Sequence, residues 1–155
     1  MNPSYTDFDV IEKESTKVTR RENQFIIFSL RDPTKLVFGI DYIQPSANPG
    51  TLKKTPNDKL IELFTLCKSK IDPLKCAYIF YDFSFYTDDG LYRNATCLVT
   101  FIPDSVSTLI EKFSYSSNSI TLGAEIKAQK LITLNNLEDF EFENIKHLCM
   151  SFRKN

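Results

Sequence analysis

The chain has 155 residues and a mass of 17.9 kDa, within the usual size of one domain and long enough to bury a sizeable core. A hydrophobic fraction of 42% with 25% charged residues excludes global disorder, and 19 basic against 20 acidic residues give no long-range attraction to nucleic acid or anionic membrane. Apolar runs stay short of a membrane span, and the first ten residues, MNPSYTDFDV, lack the basic and apolar regions of a signal peptide, so a cytoplasmic protein with no transmembrane segment is expected.

Residues 1–16 are polar, with Tyr5, Phe8, Val10 and Ile11 as large apolar anchors, and are expected to form a short helix or an extended arm. Residues 24–30 (QFIIFSL) and 35–42 (KLVFGIDY) predict a strand pair turned by Arg31-Asp32-Pro33-Thr34. A Pro, Ser, Asn and Gly-rich loop follows over 44–55. Thr55-Pro56-Asn57-Asp58 predicts a helix start, with Thr55 as N-cap and Pro56 at the first helical position. Leu60, Leu63, Phe64 and Cys67 then share one face, and Ile71-Asp72-Pro73 ends the helix.

Residues 76–87 carry apolar side chains on both parities: Ala77, Ile79, Tyr81, Phe83 and Phe85 on one, Tyr78, Phe80 and Tyr86 on the other. That pattern suits a strand covered on both faces. Asp88-Asp89-Gly90 predicts a hairpin leading into a strand over 91–101. Pro103-Asp104-Ser105 stops that strand and offers two capping residues to a helix. Val106, Leu109, Ile110, Phe113, Ser117 and Ile120 recur at helical spacing, which argues for a long amphipathic helix reaching beyond Leu122, with Gly123 as a point where it weakens or ends. Residues 130–134 (KLITL) predict a last strand. Asn136 begins a C-terminal helix whose apolar face is Phe142, Ile145, Cys149 and Phe152. Short-turn strand pairs with interspersed helices indicate a single mixed α+β or three-layer domain over 1–155 rather than a repeating βαβ wheel.

The sequence gives little support to catalysis. The one histidine, His147, lies in the C-terminal helix without a second ligand at metal spacing, so neither a metal nor a cofactor is expected. The acidic pair Asp88-Asp89 reads as turn chemistry, and Glu138, Asp139, Glu141 and Glu143 read as charge at a helix N-terminus. A small hydrolase built on these clusters is the competing reading, although no spacing brings them together. The four cysteines show no CxxC or Cys/His cluster and read as buried free thiols. Asn94-Ala95-Thr96 matches a glycosylation sequon that reads as accidental without a secretory signal.

Several of these segments resemble the actin-depolymerising factor homology (ADF/cofilin) family, which includes cofilins, glia maturation factors and coactosin-like proteins. The similar residues are Phe25-Ile26-Ile27-Phe28, Cys76-Ala77-Tyr78 with Tyr81-Asp82-Phe83, Asp89-Gly90, Pro103-Asp104, and Lys112-Phe113-Ser114-Tyr115-Ser116-Ser117. The last of these matches a K-M-x-Y-A-S-S-like helix core. The resemblance implies a cofilin-like fold, a central mixed five-stranded sheet flanked by helices on both faces. It implies a non-enzymatic, monomeric actin-binding protein of the cytoskeleton that binds actin monomers and promotes filament disassembly and turnover.

By that resemblance, the monomer contacts are Ser4, Ile110, Lys112, Phe113, Ser116, Ser117 and Asn118, with Phe113 either filling a groove on actin or facing the core. Ile110 stands where cofilins usually carry a second basic residue. Filament contacts are implied at Arg93, Lys146, Arg153 and Lys154, while Ala95 occupies a neighbouring position that is basic in cofilins. Gly123-Ala124-Glu125-Ile126 and Leu137-Glu138-Asp139 are also similar to glia maturation factor, which implies the actin-related branch-nucleating complex as an alternative partner. An adaptor that kept the fold and lost actin is a further alternative.

Overall fold

The computed structural model describes residues 7–49, 53–106 and 108–150. In chain order the elements are α1 (Phe8–Thr19), β1 (Asn23–Asp32), β2 (Val37–Pro45), α2 (Asn57–Ser69), β3 (Ala77–Tyr86), β4 (Tyr92–Phe101), α3 (Leu109–Glu125), β5 (Lys130–Leu134), a 3-10 turn (Leu137–Asp139) and α4 (Phe142–Met150). The strands form one mixed sheet in the order β2-β1-β3-β4-β5. Every pairing is antiparallel except β4 with β5, whose parallel register is reached through α3.

The two parities of β3 divide the core. Ile79, Tyr81, Phe83 and Phe85 pack with Leu60, Phe64 and Cys67 of α2 and with Phe142, Ile145 and Cys149 of α4. Tyr78 and Phe80 pack on the opposite face with Phe8, Ile11 and Val18 of α1 and with Tyr115 and Leu122 of α3. The sheet is therefore sandwiched between α2 with α4 on one side and α1 with α3 on the other. Tyr86 departs from the parity rule: it packs on the α2 side, where its hydroxyl donates to the Thr55 carbonyl at 2.9 Å and its ring lies 4.9 Å from Tyr92.

Several boundaries shift from the sequence expectation. The first hairpin turns later than Arg31-Asp32-Pro33-Thr34, because the Asp32 carboxylate accepts from the backbone N–H groups of Thr34 and Lys35 and the chain reverses with Leu36 at φ 56°. Thr55 does not cap α2. Its backbone is held by Tyr86 and Tyr92, and Pro56 occupies the N-cap position instead. The cap of α3 is Thr108, whose hydroxyl accepts from the Glu111 N–H at 3.4 Å, not Asp104 or Ser105. Asn136 caps the 3-10 turn through the Glu138 N–H, so α4 starts only at Phe142.

Two helices, α1 and α3, end on side-chain-bearing residues in the left-handed region. After α1, Arg21 (φ 63°) donates to Val18 and Glu22 to Lys17; after α3, Lys127 (φ 64°) donates to Ala124 and Ala128 to Gly123. Both are Schellman closures. Gly123 thus lies inside α3, where an added Cβ would meet Leu131 of β5 at 2.5 Å. The helix runs past it to Glu125, and an added Cβ would have to displace only the exposed, rotatable tip of Leu131.

Past Phe80 the even-numbered face of β3 turns polar. Asp82 is buried, accepts from the Asn94 amide and, through its backbone carbonyl, from Gln24 at 2.9 Å. The Asn94 amide also donates to Ser84, so the sequon asparagine is engaged across the β3–β4 pair. Burial pushes the Asp82 carboxyl up to about 6, against the opposing pull of the Asn94 hydrogen bond and Arg21. The folded state therefore holds this proton more tightly than the unfolded chain does. Its contribution is fully present below the ordinary carboxylate range and is lost as pH rises to about 6. Between pH ~4 and ~6 the native protein should lose about 2–3 kcal/mol of stability on this account, and Asp82→Asn should flatten that slope in urea titrations at stepped pH.

Candidate interaction surface on α3

One side of α3 is anchored. Tyr115 is buried, its hydroxyl accepts from the Leu30 N–H at 2.8 Å, and its ring lies 4.8 Å from Tyr78. The Tyr78 hydroxyl in turn donates to the Tyr115 carbonyl at 2.9 Å. Ser114 donates to the Pro33 carbonyl at 3.0 Å, and Leu122 and Ile126 complete the packed stripe. These bonds fix the rotation of the helix about its axis.

That rotation turns the other apolar stripe outward. Leu109 is 80% exposed, Ile110 63%, Phe113 70% and Ile120 73%. At 3.6 residues per turn, Leu109, Phe113 and Ile120 fall within about 40° of one another around the axis, with Ile110 on the flank. A row of large exposed apolar side chains on a packed helix, here with Ser116 and Ser117 between Phe113 and Ile120, suits a docking face. The alternative that Phe113 faces the core does not hold.

The expected monomer contacts separate into two groups. Ile110, Phe113, Ser116 and Ser117 lie on this outward face, and half-buried Lys112 borders it. Asn118 turns toward the helix itself and donates to the Ser114 carbonyl at 2.7 Å. Ser4 lies outside the described residues. Leu109 and Ile120, which were not among the expected contacts, complete the row; both stood in the same helical-spacing stripe of the sequence.

The second surface has mixed charge. Exposed Arg93 lines a cleft with Asp88, Asp89, Leu91 and Met150, between the β3–β4 hairpin and the end of α4. Lys146 is half-buried on α4, and Arg153 and Lys154 lie outside the described residues. Gly90, at φ 87°, supplies the left-handed residue of the hairpin, and Thr87 bonds Asp89 to close it. Asp88 and Asp89 thus sit beside the C-terminal end of α4, whereas Glu138 and Asp139 precede its N-terminal end, about 13 Å away along a nine-residue helix. This separation works against a paired-carboxylate hydrolase. Among the described residues no helix is long and apolar enough to cross a membrane, and no group of three His, Cys, Asp or Glu side chains converges on a metal site.

Comparison with solved structures places the same fold in proteins of different branches. Plasmodium berghei actin depolymerization factor 2 superposes with a TM-score of 0.66 at 20% identity, covering 96% of this chain and 98% of that one. Human coactosin-like protein gives a TM-score of 0.69 at 12% identity over 95% and 98% of the two chains. Glia maturation factor from Caenorhabditis elegans gives 0.61 at 14% identity over 95% and 99%. No curated protein sequence matches the chain. The model of the cofilin/tropomyosin-type actin-binding protein family matches residues 6–149. With that match spanning nearly the whole chain and the fold agreeing, the protein belongs to the cofilin/tropomyosin-type actin-binding family.

Proposed function

We propose that this protein binds actin monomers through the outward face of α3 and promotes filament disassembly and turnover, without covalent chemistry. The observation that carries this reading is the exposed row of Leu109, Ile110, Phe113 and Ile120 on a helix whose rotation is fixed by Tyr115. Fully burying such a side chain is worth about 1.5–3 kcal/mol, so four of them offset much of the rigid-body cost of association. Lys112, at the border of the row, supplies a cation that steers encounter with an acidic partner surface. Acting this way, the protein works as a monomer at the cytoplasmic actin cytoskeleton.

A second reading draws on the mixed charge beside the hairpin. Asp88 and Asp89 next to Arg93 weaken the positive potential that filament contacts at Arg93 and Lys146 need. That favours monomers over filaments, or a glia-maturation-factor-like action on the branch-nucleating complex. Titration of ADP-actin monomers, beside filament pelleting and a pull-down with the branch-nucleating complex in one buffer, separates these readings. Monomer binding is expected, and Lys112→Glu should abolish it with the Tm nearly unchanged. Binding to the branch complex alone would establish the second reading, binding to neither would point to an adaptor that has lost actin, and a large Tm loss in Lys112→Glu would make that position structural.

A further inference from the structure

Two of the four free cysteines are brought together from distant parts of the chain. Cys97 of β4 and Cys149 of α4 place their sulfurs 3.5 Å apart, although they are 52 residues apart in sequence. Cys67 lies on α2 and Cys76 just before β3. The Cys97–Cys149 pair sits where α4 meets the sheet, packed with Ile145 and Val99. Both are buried, Cys97 completely and Cys149 to 6% exposure, and Cys149 lines the cleft of about 410 Å³ that opens beside the hairpin, with Phe85, Leu91 and Met150.

We propose that Cys97 and Cys149 form a reversible disulfide on exposure to hydrogen peroxide, tying the end of α4 to β4. Sulfurs in contact need to close by about 1.5 Å to reach disulfide bonding distance. One hydrogen bond joins the two thiols; it and nearby Lys130 lower the Cys149 thiol below its ordinary value against the opposing effect of burial, while the same contact and burial raise Cys97. Cys149 lines the cleft and Cys97 does not, so Cys149 is the thiol an incoming peroxide meets first and the nucleophile.

The chemistry balances with peroxide as the oxidant. The Cys149 thiolate attacks one peroxide oxygen, the O–O bond breaks, and the departing hydroxide takes up the Cys149 proton as water, leaving a sulfenic acid. The Cys97 sulfur then attacks the sulfenic sulfur; the S–S bond forms, the S–O bond breaks, and hydroxide leaves with the Cys97 proton as a second water. Two thiols and one peroxide give one disulfide and two waters. The product closes a long loop in the unfolded chain and so favours the folded state. It also stiffens the surface made by α4 and the β3–β4 hairpin, while α3 on the opposite face is untouched.

The test is to treat the full chain with hydrogen peroxide, alkylate it under denaturing conditions, and measure intact mass and peptide linkage. Alkylatable thiols should fall from four to two, with a Cys97–Cys149 linked peptide that dithiothreitol reverses, a raised Tm, and slowed amide exchange in α4. Cys97→Ala should instead stop at a dimedone-reactive sulfenic acid on Cys149. Should that variant not fold, the linkage map of the natural chain decides alone. Retention of four alkylatable thiols, oxygen addition at Cys149 without linkage in the natural chain, or linkage between copies would each overturn the proposal.

Discussion

Replacing Phe64 with alanine is expected to cost about 3–5 kcal/mol of stability. Its ring stacks on Phe140 at 4.3 Å, meets Phe142 edge-on at 5.7 Å, and lies 5.6 Å from Tyr81 and 6.0 Å from Phe83. One side chain of α2 therefore touches the sheet, the start of α4 and the segment before it. Deleting it leaves a cavity bounded by four aromatic rings, which are too rigid to collapse into the space. At 2–4 °C per kcal/mol for a domain of this size, the Tm should drop by roughly 10 °C, readable by calorimetry. A loss under about 1 kcal/mol would mean that α2 and α4 are held by other contacts.

The second large effect concerns binding and leaves stability alone. Phe113→Asp places a carboxylate at the centre of the outward row on α3, where the side chain is 70% exposed in the free protein. The free protein loses little, since an exposed substitution on a well-anchored helix costs within about 0.5 kcal/mol. In a complex, the same carboxylate would be buried against an apolar groove without a partner. Affinity for actin monomers is expected to fall by roughly 30-fold to 1000-fold, about 2–4 kcal/mol, at an unchanged Tm. Equal affinity in the two proteins would remove Phe113 from the interface.

Much of the architecture was legible because strand parity and helical period are set by burial. The odd and even residues of β3 separate onto two helical layers, and Leu60, Phe64 and Cys67 cover one of them as their spacing requires. Boundaries were less legible because tertiary partners decide them. Thr55 has the composition of a cap, yet two tyrosines claim its backbone, and Thr108 caps α3 although Asp104 and Ser105 carry the stronger local signal. The left-handed closures at Arg21 and Lys127 carry no glycine, so no sequence sign marked them, while Gly123, a candidate stop, lies inside the helix.

The α3 surface was half legible. The Lys112 to Ser117 segment pointed to the helix, but a stripe of Leu109, Phe113 and Ile120 is equally suited to face a core or a partner. What decides is Tyr115 on the opposite side, whose hydroxyl reaches β1 at a residue 85 positions away in sequence. Only the folded arrangement reveals that the core is already served by Tyr115, Leu122 and Ile126. The charge around Arg93 was legible only in part for a similar reason, since the hairpin folds Asp88 and Asp89 back beside it.

The most direct test of the account is amide hydrogen exchange on the full chain, with and without saturating ADP-actin monomers. The account predicts that actin adds protection to peptides covering the exposed row of α3 and leaves α2, on the opposite face of the sheet, unchanged. Protection centred on α2 and α4 with α3 unaffected, or no change anywhere at actin concentrations that saturate a cofilin, would contradict it.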